Sequence, residues 1–274
     1  MVQVLKRWDI PQRSYGSYPK IVCKRPQSIS IGFEWEVQTN EEEEWDCTGK
    51  DEEFKWSNNF VIDKYSRMFA KLYQFRVHGE CMAAEFCSPV AQNLETIKAV
   101  ARKLQRRVSK DKFLEPNYAE MAGIHVHTSI KGAGDYEYSQ AFRKAALMLN
   151  RVSSEDFVWS FSGRSEGGSE YEHQGRATCW DDDNDPCEYG ALDEIENNEM
   201  LRMNQFEENT IEYRLWHGVT DRLQPALEFA HACTKFVAQH EGVDAPYLIE
   251  FKTWLFKQKG YKLLKSQPEW AYVN

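Results

Sequence analysis

The sequence predicts an α+β fold, and three observations predict it. Segments of strict apolar–polar alternation and segments of helical periodicity both occur, at separate places along the chain. They follow one another without the strand–helix–strand rhythm of a doubly wound sheet. The 274 residues are 42% hydrophobic and 14% aromatic, which supports a packed core. Residues 1–28 read as an irregular basic arm with Pro11, Pro19 and Pro26; its Lys6, Arg7, Arg13, Lys20, Lys24 and Arg25 face one acid, Asp9. Residues 29–274 read as a single domain.

The elements follow in order. Residues 29–38 alternate as a strand, with Phe33, Trp35 and Val37 on one side. Residues 40–53 form an acidic loop, and 58–74 suit a helix with Val61, Tyr65, Met68 and Leu72 on one face. A strand over 82–88 ends at Ser88-Pro89. Leu94, Ile97, Ala101, Leu104 and Val108 predict an amphipathic helix over 93–109, capped by Asn93. Its outer face would carry Lys98, Arg102, Lys103, Arg106 and Arg107 as a solvated stripe. Residues 123–130 read as a strand, 138–158 as a helix, and 162–200 as a long polar loop whose part 166–200 suits a lid or insertion. A strand over 209–216 and helices over 222–240 and 246–258 close the chain.

The formal charge is −9, from 34 basic and 43 acidic side chains. The excess is local: residues 41–53 hold eight acids, and 181–199 hold nine with no Lys or Arg. Elsewhere bases outnumber acids, which suits an anionic ligand such as a nucleotide. The overall charge argues against a nucleic-acid partner for the basic arm. No apolar run is long enough for a membrane helix, and the N-terminus lacks the apolar core of a signal peptide. Seven scattered Cys, an odd number with no CxxC pair, match no zinc template and suit reduced thiols in the cytoplasm.

Four segments share one feature. Glu34 and Glu36 alternate with Phe33, Trp35 and Val37; Glu85 sits between Ala84 and Phe86; His125 and His127 alternate with Ile124 and Val126; Glu212 and Arg214 alternate with Ile211, Tyr213 and Leu215. Strand geometry sends residues i and i+2 to one face. Each segment then has an apolar face for a helix layer and a face of ionisable groups. A solvated sheet face is ordinarily a mixture of Thr, Lys, Ser and Gln; four Glu, two His and one Arg are not that mixture. Converging carboxylates stay ionised at modest cost when cations lie between them. Glu oxygens with imidazole suit Mg²⁺ or Mn²⁺, with Zn²⁺ as the competitor. Such ions beside an Arg are parts that can hold and transfer a phosphoryl group.

These motifs also resemble a known family. GFEWEV, AEFCSPV, GIHVHTSI, FSGRSE and TIEYRLWHGVTD resemble, in the family's order, the motifs of the amidoligases, relatives of glutamine synthetase. The resemblance spans about residues 30–240. It implies a glutamine synthetase-like catalytic domain over 29–274: a curved antiparallel sheet with helices on its convex face. It also implies ATP, Mg²⁺ and a carboxylate–amine ligase reaction through an acyl phosphate. By motif position, Glu34, His125 and Glu212 would hold one Mg²⁺, and Glu36 and Glu85 a second. Arg214 would neutralise the transferred phosphoryl group, Arg164 and Arg202 would bind nucleotide phosphates, and His127 would line the pocket. Where the family has an Asp-Gly-Ser segment, this chain has His78-Gly79-Glu80-Cys81, so Glu80 is the candidate replacement acid and base. The implied partners are a small-molecule or peptide carboxylate and an amine; the sequence assigns no oligomeric state. Two alternatives stand beside this reading: a metal-dependent hydrolase using the same Glu/His set, and a catalytically inactive binding module of the same fold.

Overall fold

A computed structural model describes residues 20–21, 29–39, 75–80, 83–112, 114–116, 122–133, 135–150, 152–163, 201–204, 210–240 and 245–274. The expected loop at 40–53, helix at 58–74 and acidic segment 166–200 lie outside these residues, as does most of the arm. Within the arm, Lys20–Ile21 form a short strand, β1. The chain continues through β2 (Ile29–Thr39), β3 (Arg76–Glu80), β4 (Ala83–Cys87) and β5 (Val90–Ala91). Helix α1 (Leu94–Val108), β6 (Leu114–Glu115) and β7 (Gly123–Ile130) follow. Next come α2 (Asp135–Asn150), a 3-10 turn at Val152–Ser154 and α3 (Glu155–Ser162). Strands β8 (Leu201–Asn204) and β9 (Thr210–His217) precede a 3-10 turn at Thr220–Arg222 and the long helix α4 (Leu223–Gln239). The chain ends in α5 (Leu248–Lys257), α6 (Lys262–Lys265) and a 3-10 turn at Pro268–Tyr272.

The architecture is a mixed arrangement of helices and a largely antiparallel sheet. Strand β2 is the hub. It pairs antiparallel with β7 on one side and with β4 and β5 on the other, while β7 pairs with β9 and β9 with β8. The β1–β5 pair is parallel, so the sheet is not wholly antiparallel as expected. Alternation along β2 buries Ile31, Phe33, Trp35 and Val37 to 1% exposure or less and leaves Glu34 and Glu36 on the opposite face. The buried side joins Ile124, Val126, Ile211 and Tyr213 to residues of the helices in one core. Helix α4 runs through the middle of it, buried at every residue from Leu223 to Thr234. Phe229 there meets Phe161 and Trp216 at ring-centroid distances of 5.2 and 5.8 Å. Such pairs add to the burial of large rings.

Several polar groups in this core are matched, although the Trp216 indole N–H and His231 Nε2 have no hydrogen-bond partner among the described residues. Thr234 on α4 bonds Thr128 and the Tyr213 hydroxyl, each at 2.8 Å. Lys98 is not on the solvated stripe of α1 as expected. It is 7% exposed and pairs with Glu228 of α4, which is fully buried and also accepts the Leu264 N–H at 2.8 Å. Helical spacing explains the difference: position 98 follows Ile97 and Leu94 at the border of the apolar stripe, and a partner 130 residues away decides which side it takes. Asn93 does cap α1, accepting the Thr96 N–H at 2.8 Å. The single helix expected over 138–158 is broken, because Ser154 turns its hydroxyl back to the Met148 carbonyl at 2.8 Å and a 3-10 turn separates α2 from α3. Gly163, at φ 78°, ends α3 in the left-handed conformation.

Candidate active site

The ionisable face is assembled by register. Across β2 and β7, Glu34 lies opposite His125 and Gly32 opposite His127. Across β7 and β9, His127 lies opposite Glu212. Across β2 and β4, Glu36 lies opposite Glu85 and Glu34 opposite Cys87. Directly opposed residues share a face. A bulge on β9 puts two residues, Arg214 and Leu215, against the single position of His125.

Three backbone details hold this register. Ser88, next to Cys87, clamps β2 in both directions: its N–H donates to the Phe33 carbonyl and its hydroxyl accepts the Phe33 N–H, each at 2.7 Å. Pro89 follows and carries no N–H to extend that ladder. Gly123 donates its N–H to Glu36 Oε2 at 2.6 Å, and a Cβ there would sit 3.2 Å from that oxygen and 3.1 Å from His125 Nε2. Gly218 is tighter still. A Cβ would lie 2.6 Å from the Glu36 carbonyl, and the Gly218 carbonyl accepts the Trp35 indole N–H at 2.5 Å.

The side chains converge. His125 Nδ1 is 3.5 Å from Glu34 and 3.7 Å from Glu212, and its Nε2 is 3.9 Å from Glu36. His127 Nε2 is 3.4 Å from the same Glu34 oxygen, Oε2. Arg214 Nε lies 3.7 Å from Glu212. Two sets of potential ligand atoms, Glu34/His125/Glu212 and Glu36/Glu85/His125, each lie within 4.8 Å of one another. Burial raises the Glu34 carboxyl, but His127 and His125 beside it outweigh that and hold it well below the usual carboxylate range. Glu34 is therefore an anion at neutral pH.

The structure thus brings together Glu34, Glu36, Glu85, His125, His127, Glu212 and Arg214. Arg202 stands at the β8 position opposite Glu212, and Glu80 ends β3 opposite Ala83. Arg164 lies outside the described residues. Sequence reasoning missed three members of the face, one of them His78, opposite Glu85. Cys87 is opposite Glu34, and Arg76 of β3 is opposite Cys87. The signal was present: Arg76, His78 and Glu80 alternate around Val77 and Gly79 as the other four segments do, and Cys87 is two residues from Glu85.

Glu34, Glu36, Glu85 and Glu212 outnumber the three arginines that register places on this face, Arg76, Arg202 and Arg214. That imbalance, together with oxygen-rich ligand sets around a shared imidazole, fits a divalent cation. The geometry suits chemistry in which negative charge is held and redistributed.

No family model matches the chain, and no curated protein matches it. Several solved structures resemble the chain, and two of them serve as examples. A bifunctional glutathione synthetase from Pasteurella multocida is 11% identical over 90% of this chain and 46% of its own, with a TM-score of 0.42. A novel glutamine synthase homolog is 10% identical over 89% of this chain and 62% of its own, with a TM-score of 0.37. The chain spans about half to three-fifths of the length of these structures. Among the described residues, no helix is long and apolar enough to cross a membrane.

Proposed function

We propose that the chain is an ATP- and Mg²⁺-dependent carboxylate–amine ligase, with Mn²⁺ as an alternative ion. The observation that carries this reading is the pair of ligand sets sharing His125, flanked by Arg214. Glu34, His125 and Glu212 would hold one cation, and Glu36 and Glu85 a second. When bound, such ions neutralise phosphate oxygens and fix their orientation.

The residues supply position and charge. Gly123 holds Glu36 through its carboxylate, so that group is oriented before any ligand arrives. Arg214 would lie against the transferred phosphoryl group, with Arg202 and Arg164 on the nucleotide phosphates and His127 lining the pocket. A substrate carboxylate oxygen would attack the γ-phosphorus of ATP, giving an acyl phosphate and ADP. An amine nitrogen would then attack the acyl carbon, lose a proton to a base such as Glu80, and release phosphate as the amide forms. The substrates would be a small-molecule or peptide carboxylate and an amine, in the cytoplasm. Residues 29–274 would act as one catalytic domain.

The test incubates the protein with ATP, Mg²⁺, hydroxylamine and a panel of carboxylic acids. Hydroxamate and ADP are expected; neither product across a broad panel would sink the ligase reading. Glu34→Gln and Glu212→Gln should each abolish metal-dependent ATP binding, and unchanged nucleotide affinity in both would remove the metal assignment. Turnover of a hydrolysable substrate with metal but without ATP would favour the hydrolase alternative instead.

A further inference from the structure

One group on the ionisable face has no part in the ligase chemistry above. Cys87 follows Glu85 by two residues on β4, so strand alternation turns both to the side away from Ala84 and Phe86. Its register partner across β2 is Glu34. The Cys87 sulfur and one carboxylate oxygen each from Glu34 and Glu85 lie within 4.8 Å of one another. This third set shares Glu34 with one proposed cation position and Glu85 with the other. Cys87 is 3% exposed and is a thiol rather than half of a disulfide. Its place is fixed by the neighbouring Ser88, whose two bonds to Phe33 lock β4 onto β2.

We propose that Cys87 is a metal-ligating residue of this face and gives it selectivity for thiophilic divalent cations, Co²⁺, Zn²⁺ or Cd²⁺, over Mg²⁺. The inference rests on the reading of the face as a cation site. Mg²⁺ draws on oxygen donors, whereas a thiolate favours softer ions. A cation held among the three donors would balance the negative charge of the two carboxylates. On ligation the S–H bond breaks, its proton passes to buffer, and a sulfur–metal bond forms with no change of oxidation state. The other described cysteine differs. Cys233 is enclosed in the core, and burial pushes its thiol up to about 12 even though a bond from Tyr213 favours the thiolate. A soft ion would occupy part of both Mg²⁺ positions at once, so it would compete with Mg²⁺ rather than add to it.

The test uses the full chain, freed of metal with a chelator and titrated with Co²⁺ alone. Wild type should show a near-ultraviolet sulfur-to-cobalt charge-transfer band on binding. Cys87→Ser should lose the band and bind Co²⁺ roughly tenfold or more weakly, while its Mg²⁺ affinity by calorimetry stays within about twofold because the oxygen ligands remain. Cys87→Ala repeats the comparison if the serine variant unfolds by circular dichroism, and Glu85→Gln should weaken the band with the thiol intact. Stoichiometric Co²⁺ binding without a band, or a band that survives removal of Cys87, overturns the proposal and leaves the cation site standing. Failure of wild type to bind Co²⁺, Mn²⁺ or Mg²⁺ at all overturns both.

Discussion

The buried pair between Lys98 and Glu228 offers the sharpest test of how the helix layer is held. Glu228 has no exposed side-chain surface and Lys98 has 9%. Lys98 also approaches Glu95 at 3.5 Å, but that carboxylate is 75% exposed and contributes little. Glu228→Gln keeps an acceptor for the Leu264 N–H while removing the charge opposite Lys98. Leaving one buried ion unpaired costs about 3–5 kcal/mol. That is a large part of the ~5–15 kcal/mol that holds a domain folded. At roughly 2–4 °C per kcal/mol for a chain of this size, the melting temperature should fall by about 10 °C or somewhat more. Glu95→Gln, the exposed control, should change stability by less than about 0.5 kcal/mol. The double variant Lys98→Met with Glu228→Gln removes both charges and should return to within about 1–2 kcal/mol of wild type. Urea unfolding monitored by circular dichroism gives all four values. A loss below about 1 kcal/mol in Glu228→Gln, or a double variant no better than that single one, would refute the buried pair.

Other outcomes can be stated briefly. Ser88→Ala strips the Phe33 N–H of its partner in a buried place and should cost about 1–3 kcal/mol in urea titrations; a neutral result would show that the clamp does not hold β4. Gly218→Ala drives a Cβ against the Glu36 carbonyl and should cost about 1–3 kcal/mol, with a change in Trp fluorescence as the Trp35 indole bond is disturbed. His231 gives a pH signature. Burial, with a smaller effect from Lys235, lowers its pKa to about 4, below the ordinary 6.5. The unfolded chain therefore binds the extra proton first. The stability associated with neutral His231 is complete above about pH 6.5 and drains away as pH falls toward about 4, by about 3 kcal/mol. His231→Gln should flatten that part of the pH–stability curve, and parallel curves for both proteins would contradict the assignment.

Much of the sheet face could be read from the chain because alternation has a period of two and depends only on neighbours. Glu34 with Glu36, His125 with His127, and Glu212 with Arg214 each announce a shared side within one short segment. Which segments lie next to one another is not local information, and the amidoligase-like motif order stood in for it. Arg76, His78 and Cys87 escaped for related reasons. Only pairing shows that the five residues of β3 belong to the sheet, and a cysteine between a phenylalanine and a serine looks like ordinary core. Lys98 went wrong because a side chain at the edge of an amphipathic stripe takes its direction from a partner far along the sequence. The two-residue strands β5 and β6 are too short to show any period.

The Ser88 clamp ties the chemistry of the face to the folding of the sheet. A one-residue slip of β4 along β2 would reverse every side chain on one strand. Phe86 would turn toward Glu34, and Glu85 would turn into the core beside Trp35. Core and site are written in opposite phases of the same strands, so a misregistered molecule loses both together. On the proposed reading of the face as a cation site, a divalent cation offered during refolding would act as a proofreader, gaining purchase only on chains whose strands have already paired in step.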